Sequence, residues 1–329
     1  MPVTRRNILS DTTVRDQFIR GLSILKQEDT GRTTADFTIA GPPQPIRTYD
    51  LFVIWHHLAM MTLTPSGNAV GRNSAHRGPI FLPWHRVMLL LLEQNLQRVL
   101  QDPTFGLPYW DWAADGDQPA AQQPAARIWG VDYMGGAGNP VQTGPFAFQA
   151  SDPTSWRVRV AATASGTLRI VNRGLRRAFA GSGVTTLPQT PHLLTALQVT
   201  PYDAPPWDVT SAGFRNRLEG WRSEVSPPAP WLHNRVHVWI GGDMAFSTSP
   251  NDPVFYLHHG NVDRLWEGWL QAQGRVYLPD MTASADLAGH RIDDAIMSPL
   301  GASATPRQVL DSQAVYTYDV LPAVLVASV

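Results

Sequence analysis

The 329-residue chain contains no cysteine, so disulfides, thiolate metal sites and cysteine nucleophiles are excluded. Charge is sparse: charged residues make up 16% of the chain, 26 Lys and Arg stand against 27 Asp and Glu, and the formal net charge is -1. Without a basic block, nucleic acid and anionic membrane surfaces are poor partners. The longest apolar run, Val87 to Leu92, is far too short to span a bilayer. Thr4-Arg5-Arg6-Asn7 carries a twin-arginine pair, but no apolar stretch of the kind a signal peptide needs follows it. These absences predict a soluble chain with no visible signal peptide, cytoplasmic or exported with a partner.

Hydrophobic residues amount to 43%, which supplies a sizeable core and is not a disordered composition. The length permits two domains, yet the motifs described below span most of the chain. A single domain over residues 1–329 is therefore expected.

The 10 histidines are unevenly spread. His233 and His237 are four apart, so on a helix they project from one face and can grip one ion. A second helix is expected after Asn251-Asp252-Pro253, where Asp suits capping and Pro suits a helix start. Its first turns carry His258 and His259. Asp263, four residues beyond His259, lies where a carboxylate could orient an imidazole. Upstream, His56 sits on an apolar helical run, His76 on a polar loop, and His85 at the head of a long amphipathic helix. His192 and His290 stand apart and read as surface or loop residues.

The periodicity predicts helices over Asp11 to Lys26, with Ser10 or Asp11 as cap, and over Tyr49 to Met61, Trp84 to Leu100 and Phe214 to Arg222. Glu28 to Ile46 reads as a loop. The aromatic cluster Pro108 to Trp112 is expected to pack under the histidines. Ala113 to Gly166 reads as a long irregular excursion with short strands near Trp156 to Val160 and Thr167 to Val171, and as one wall of a substrate entrance. Val315 to Tyr318 reads as a strand.

Four phrases occur in order: YDLFVxxH from Tyr49, FLPWHR from Phe81, LHNRVHVW from Leu232 and NDPVFYLHHGNVDRLW from Asn251. With them the chain resembles the type 3 copper proteins, and its wording is nearest to bacterial tyrosinases, the polyphenol oxidase family. The resemblance runs from about residue 49 to 270, and YTYD at 316–319 is similar to the tyrosine motif that closes the family's core. It implies a mainly α fold, with a four-helix-bundle core around a dicopper site, long irregular loops and a few short strands.

Carried over by position, the resemblance implies that His56, His76 and His85 bind one copper ion and His233, His237 and His259 the other. His258 and His57 are then neighbours of the ligands, and Phe81 and Phe255 pack against them. Asn234 and a glutamate are implied to hold a water that deprotonates an incoming phenol. FRNRLEGW makes that glutamate Glu219, with Glu224 as a rival because the segment before His233 is longer than in bacterial tyrosinases.

Imidazole suits copper, zinc, iron and nickel alike, but neither a His-Glu-x-x-His motif nor a mixed carboxylate and histidine set is present. Two all-histidine sites in one core fit a copper pair, with O2 as co-substrate. The expected activity is ortho-hydroxylation of monophenols, oxidation of catechols to ortho-quinones, or both. Alternatives are a catechol or ortho-aminophenol oxidase without hydroxylation and, further off, an oxygen-binding protein. The expected partner is a small phenolic substrate, and a separate copper-delivery helper protein is compatible with the chain.

Overall fold

The protein is described by a computed structural model covering residues 2–221, 231–298, 300 and 303–323. Asp11 caps the first helix by accepting the Val14 N–H at 3.0 Å, and α1 (Thr12–Gln27) buries the expected stripe of Phe18, Leu22 and Leu25. The Glu28 to Ile46 segment is not a plain loop. Its ends pair as an antiparallel ladder of β2 (Asp29–Thr33) and β3 (Pro45–Arg47), after a first strand, β1 (Val3–Arg5). Next comes α2 (Thr48–Met61), buried over most of its circumference as its unbroken apolar character requires.

The following helix, α3 (Phe81–Leu100), begins one turn earlier than periodicity indicated. Pro83 misled that reading: within the first helical turn its missing N–H breaks no hydrogen bond. His85 therefore sits in the second turn rather than at the head. After a short α4 (Trp112–Gly116), the expected strand pair appears as β4 (Val158–Ala162) and β5 (Leu168–Arg173), joined antiparallel. Then come α5 (Thr190–Leu197) and α6 (Phe214–Glu219). Gly220 ends α6 in the left-handed region at φ 97, and a Cβ there would stand 1.9 Å from the Trp231 carbonyl. Only glycine allows α6 to abut the start of α7 (Leu232–Ile240) this closely. Arg222 and the rival Glu224 lie outside the described residues.

Before α8 (Val254–Gln273), Asp252 accepts the Val254 N–H at 3.1 Å, as its position before Pro253 predicts. A short α9 (Pro306–Val309) and β6 (Tyr316–Tyr318) follow. β6 runs parallel to β1, so the two ends of the described chain meet. The architecture is mainly α, with α2, α3, α7 and α8 around the histidine clusters. No described helix is long and apolar enough to cross a membrane.

His290 is neither a surface nor a free loop residue. It is fully buried, with Nε2 bonded to the Thr64 carbonyl at 3.0 Å and its ring against Gly78. Burial lowers its pKa from 6.5 to about 3. Between those values the unfolded chain binds a proton that the fold refuses, so stability falls as pH drops from about 6.5 toward 3. Melting His290→Asn beside the parent between pH 7 and 4, in the same metal state, should give the variant a shallower acid loss. The difference is up to about 1.4 kcal/mol per pH unit, and identical slopes would refute it.

Candidate metal centre

Seven imidazoles converge between the four central helices in two groups. His56 from α2, His76 from the following loop and His85 from α3 form one. His233 and His237 from α7, with His258 and His259 from α8, form the other. In each group one ring nitrogen per residue lies within 4.8 Å of the others. The groups abut: the His85 and His259 rings stack at 4.1 Å and 7°.

Backbone carbonyls fix how four of these rings point. His56 Nδ1 lies 2.7 Å from Ser247 O, His85 Nδ1 2.8 Å from Phe81 O, His233 Nδ1 3.1 Å from Glu219 O, and His237 Nδ1 2.7 Å from Met244 O. A carbonyl only accepts, so each Nδ1 carries the proton and each Nε2 keeps a lone pair. The Nε2 atoms of His56, His85 and His233 are buried without a hydrogen-bond partner, and His237 Nε2 lies 3.5 Å from His259 Nε2. Burial, helped by neighbouring imidazoles, pushes the His76, His85, His233, His258 and His259 pKa values well down, and those of His56 and His237 to about 3 and 4. The rings are neutral, desolvated and aimed at shared points. Such donors suit a cation with affinity for imidazole, and the donor set fits a pair of copper ions.

The first doublet separates by environment, whereas His258 and His259 both lie in the second group. His57 turns its Nδ1 to the Ser247 hydroxyl at 2.8 Å and joins neither group. His258 lies within the second group but stacks on His233 at 5.0 Å and 17°, with Trp112 at 6.3 Å. Phe81 and Phe255 wedge between the groups, Phe81 4.9 Å from His85 and 4.8 Å from His233, Phe255 5.1 Å from His56 and 4.2 Å from His259. The aromatic cluster packs beneath as expected, with the Trp112 ring beside His258 and the Trp110 backbone N–H donating to Leu257 O at 3.0 Å.

A cavity of about 470 Å³ opens onto the histidines. Its lining includes Asn73, Arg77, Trp221, Asn234, Val238 and Phe246. The Ala113 to Gly166 excursion does not line it, contrary to expectation. The wall is instead the turn Met244 to Ser249, which also orients His237 and His56 through its carbonyls. Asn234 Oδ1 lies 3.1 Å from His233 Nδ1. Glu219 is fully buried next to it and binds the Arg77 N–H at 2.7 Å and Arg215 at 2.8 Å. Desolvation raises its pKa against the pull of Arg215.

The family model described as the common central domain of tyrosinase matches residues 46–272. The chain belongs to the tyrosinase family. It is 40% identical over 276 residues to a tyrosinase of Streptomyces glaucescens, covering 82% of this chain and 88% of that protein. It is 36% identical over 295 residues to a grixazone synthase of Streptomyces griseus, covering 82% and 90%. Among solved structures, a polyphenol oxidase of Thermothelomyces thermophila superposes at TM-score 0.69, with 22% identity over 98% of this chain and 89% of that one. An octopus hemocyanin unit superposes at 0.53, with 17% identity over 96% and 68%. At those identities the structures establish the fold alone. The family and the curated relatives make this chain a tyrosinase-type oxidoreductase.

Asp263 does not orient an imidazole in this tyrosinase-family chain. Its oxygens accept from Arg86 at 2.6 Å, Arg5 at 3.1 Å, Tyr316 at 2.5 Å and Tyr318 at 2.6 Å. The spacing from His259 was right for one helical face, but the tyrosine motif and two arginines fill the space beyond. What sequence reasoning missed entirely is the set of carbonyls from Ser247, Phe81, Glu219 and Met244, which every residue type carries alike. Asp263→Asn should destabilise the fold by about 3–5 kcal/mol, because it leaves buried arginines short of charge. Metal content per folded molecule should stay at the parent level, and a lost ion would return Asp263 to the metal site.

Proposed function

We propose that the chain binds two copper ions and uses O2 to oxidise small phenols, hydroxylating monophenols at the ortho position and converting catechols to ortho-quinones. His56, His76 and His85 hold one ion, and His233, His237 and His259 the other. The observation that carries this reading is the pair of abutting histidine groups in which four Nδ1 atoms are pinned by carbonyls. Bound there, the copper pair supplies the binding of dioxygen and the two-electron chemistry that phenol oxidation needs.

The protein's own part is to admit the ring and move its proton. The cavity is of a size for one aromatic ring and its substituent. Phe81 and Phe255 keep water from between the ligands, and His258 buttresses His233. A phenol has a pKa near 10, so at neutral pH a base must assist its ionisation. Asn234 lines the cavity beside His233, and the Glu219 carboxylate lies behind it. Together they hold a water that takes the phenol proton.

A catechol or ortho-aminophenol oxidase without hydroxylation is the second reading, and the crowding of Glu219 favours it. Of about four acceptor positions on a carboxylate, the Arg77 N–H takes one on Oε1 and Arg215 takes one on Oε2. Both oxygens are thus already engaged before a water arrives. The exposed Trp221 and Phe246 at the rim, 38% and 58% accessible, are also compatible with a copper-delivery helper protein that covers the opening.

Copper-loaded protein should contain two ions per chain and consume oxygen with both a monophenol and its catechol. Uptake with the catechol alone would establish the second reading, and failure to bind copper would overturn both. Glu219→Gln and Asn234→Ala should each lower monophenol turnover by about 100-fold while sparing catechol oxidation to within about threefold; equal losses on both substrates would remove the water-holding role. His259→Ala should retain one ion and His258→Ala two, as read by metal analysis.

A further inference from the structure

Arg77 follows His76 directly, and its exposed side chain stands at the cavity mouth. Apart from the histidines assigned to the metals, the cavity is lined by apolar and neutral polar residues. Among the described lining residues Arg77 is the one that carries a fixed charge. Among the described residues no carboxylate lines the cavity, and none pairs with Arg77.

The residue is held at both ends. Its backbone adopts φ 62, uncommon for a residue with a side chain, and its N–H donates to Glu219 Oε1 at 2.7 Å. Its guanidinium carbon sits 5.0 Å from the centre of the Trp221 ring. Stacking engages the face of the guanidinium and leaves its N–H edge free to donate. That edge is a planar fork matched to a carboxylate.

Resting on the phenol oxidase reading, we infer that Arg77 on its Trp221 platform recognises an anionic ring substituent and selects carboxylate-bearing phenols and catechols over neutral ones. A catechol ring over the histidines places its substituent toward the mouth, where this charge waits. If Arg77 merely covered Trp221, substrate charge would not matter.

The test compares 3-(3,4-dihydroxyphenyl)propanoate with its methyl ester, using the copper-loaded full chain. The parent should favour the acid in kcat/KM, and added salt should shrink that preference. Arg77→Asn, chosen because Asn tolerates a left-handed backbone, should lower the acid-to-ester ratio about tenfold, chiefly through KM. Arg77→Lys should fall between. The binding of benzoate against benzamide, which needs no turnover, should lose the same preference in Arg77→Asn. Equal effects on acid and ester, or a parent without preference for either anion, would overturn the inference. A parent that binds benzoate selectively but oxidises neither catechol would instead refute the oxidase reading.

Discussion

Seven imidazoles packed together away from water are tolerable only if they stay uncharged. Protonating one would place a desolvated cation among its neighbours, which burial forbids near neutral pH. Neutral rings, however, carry lone pairs that need partners, and the surrounding helices offer none to the inward nitrogens. The core is thus built around a deficit that a bound cation would remove. Binding such a cation would stabilise the fold, because the unfolded chain presents no such site.

The same constraint explains why carbonyls matter more than side chains in setting ring direction. The Phe81 carbonyl reaches His85 from one helical turn below, whereas the Met244 to Ser249 turn contributes one carbonyl to each histidine group. That turn also lines the cavity. A displacement of it would tilt a ring in both groups at once, so ligand geometry and pocket shape are not independent variables here.

Sparse charge takes on meaning in this setting. Arg5, Arg86, Arg177 and Arg215 are all buried, each paired with a buried carboxylate. Asp263 gathers β1, α3, α8 and β6 into one hydrogen-bonded knot, fastening the closing tyrosines over the ligand helices. The histidine spacings and the helices bearing them were legible from sequence because periodicity and ligand chemistry are local. Asp263 was misread because a helical face says which way a residue points, not what lies opposite. His290 was misread likewise: its burial depends on Gly78 and Thr64, far away in the chain. The start of α3 was missed because proline carries opposite meanings inside a helix and in its first turn.

Glu219 shows how such long-range arrangement ties the two histidine groups together. Its backbone carbonyl orients His233, while its carboxylate fixes the backbone N–H of Arg77, the residue after His76 and the one whose side chain stands over Trp221. One residue thereby links a ligand of each histidine group to the charged rim of the cavity. Arg215, itself anchored by Asp203 at 2.8 Å, keeps that carboxylate in place. Gly220 lets the whole assembly approach α7, since any side chain there would strike Trp231. Arg215 acts on the carboxylate and Gly220 on the approach of α7, and together they let Glu219 reach both groups. The position of the Glu219 carboxylate behind the pocket wall is thus set by ordinary rules of helix termination and buried charge pairing.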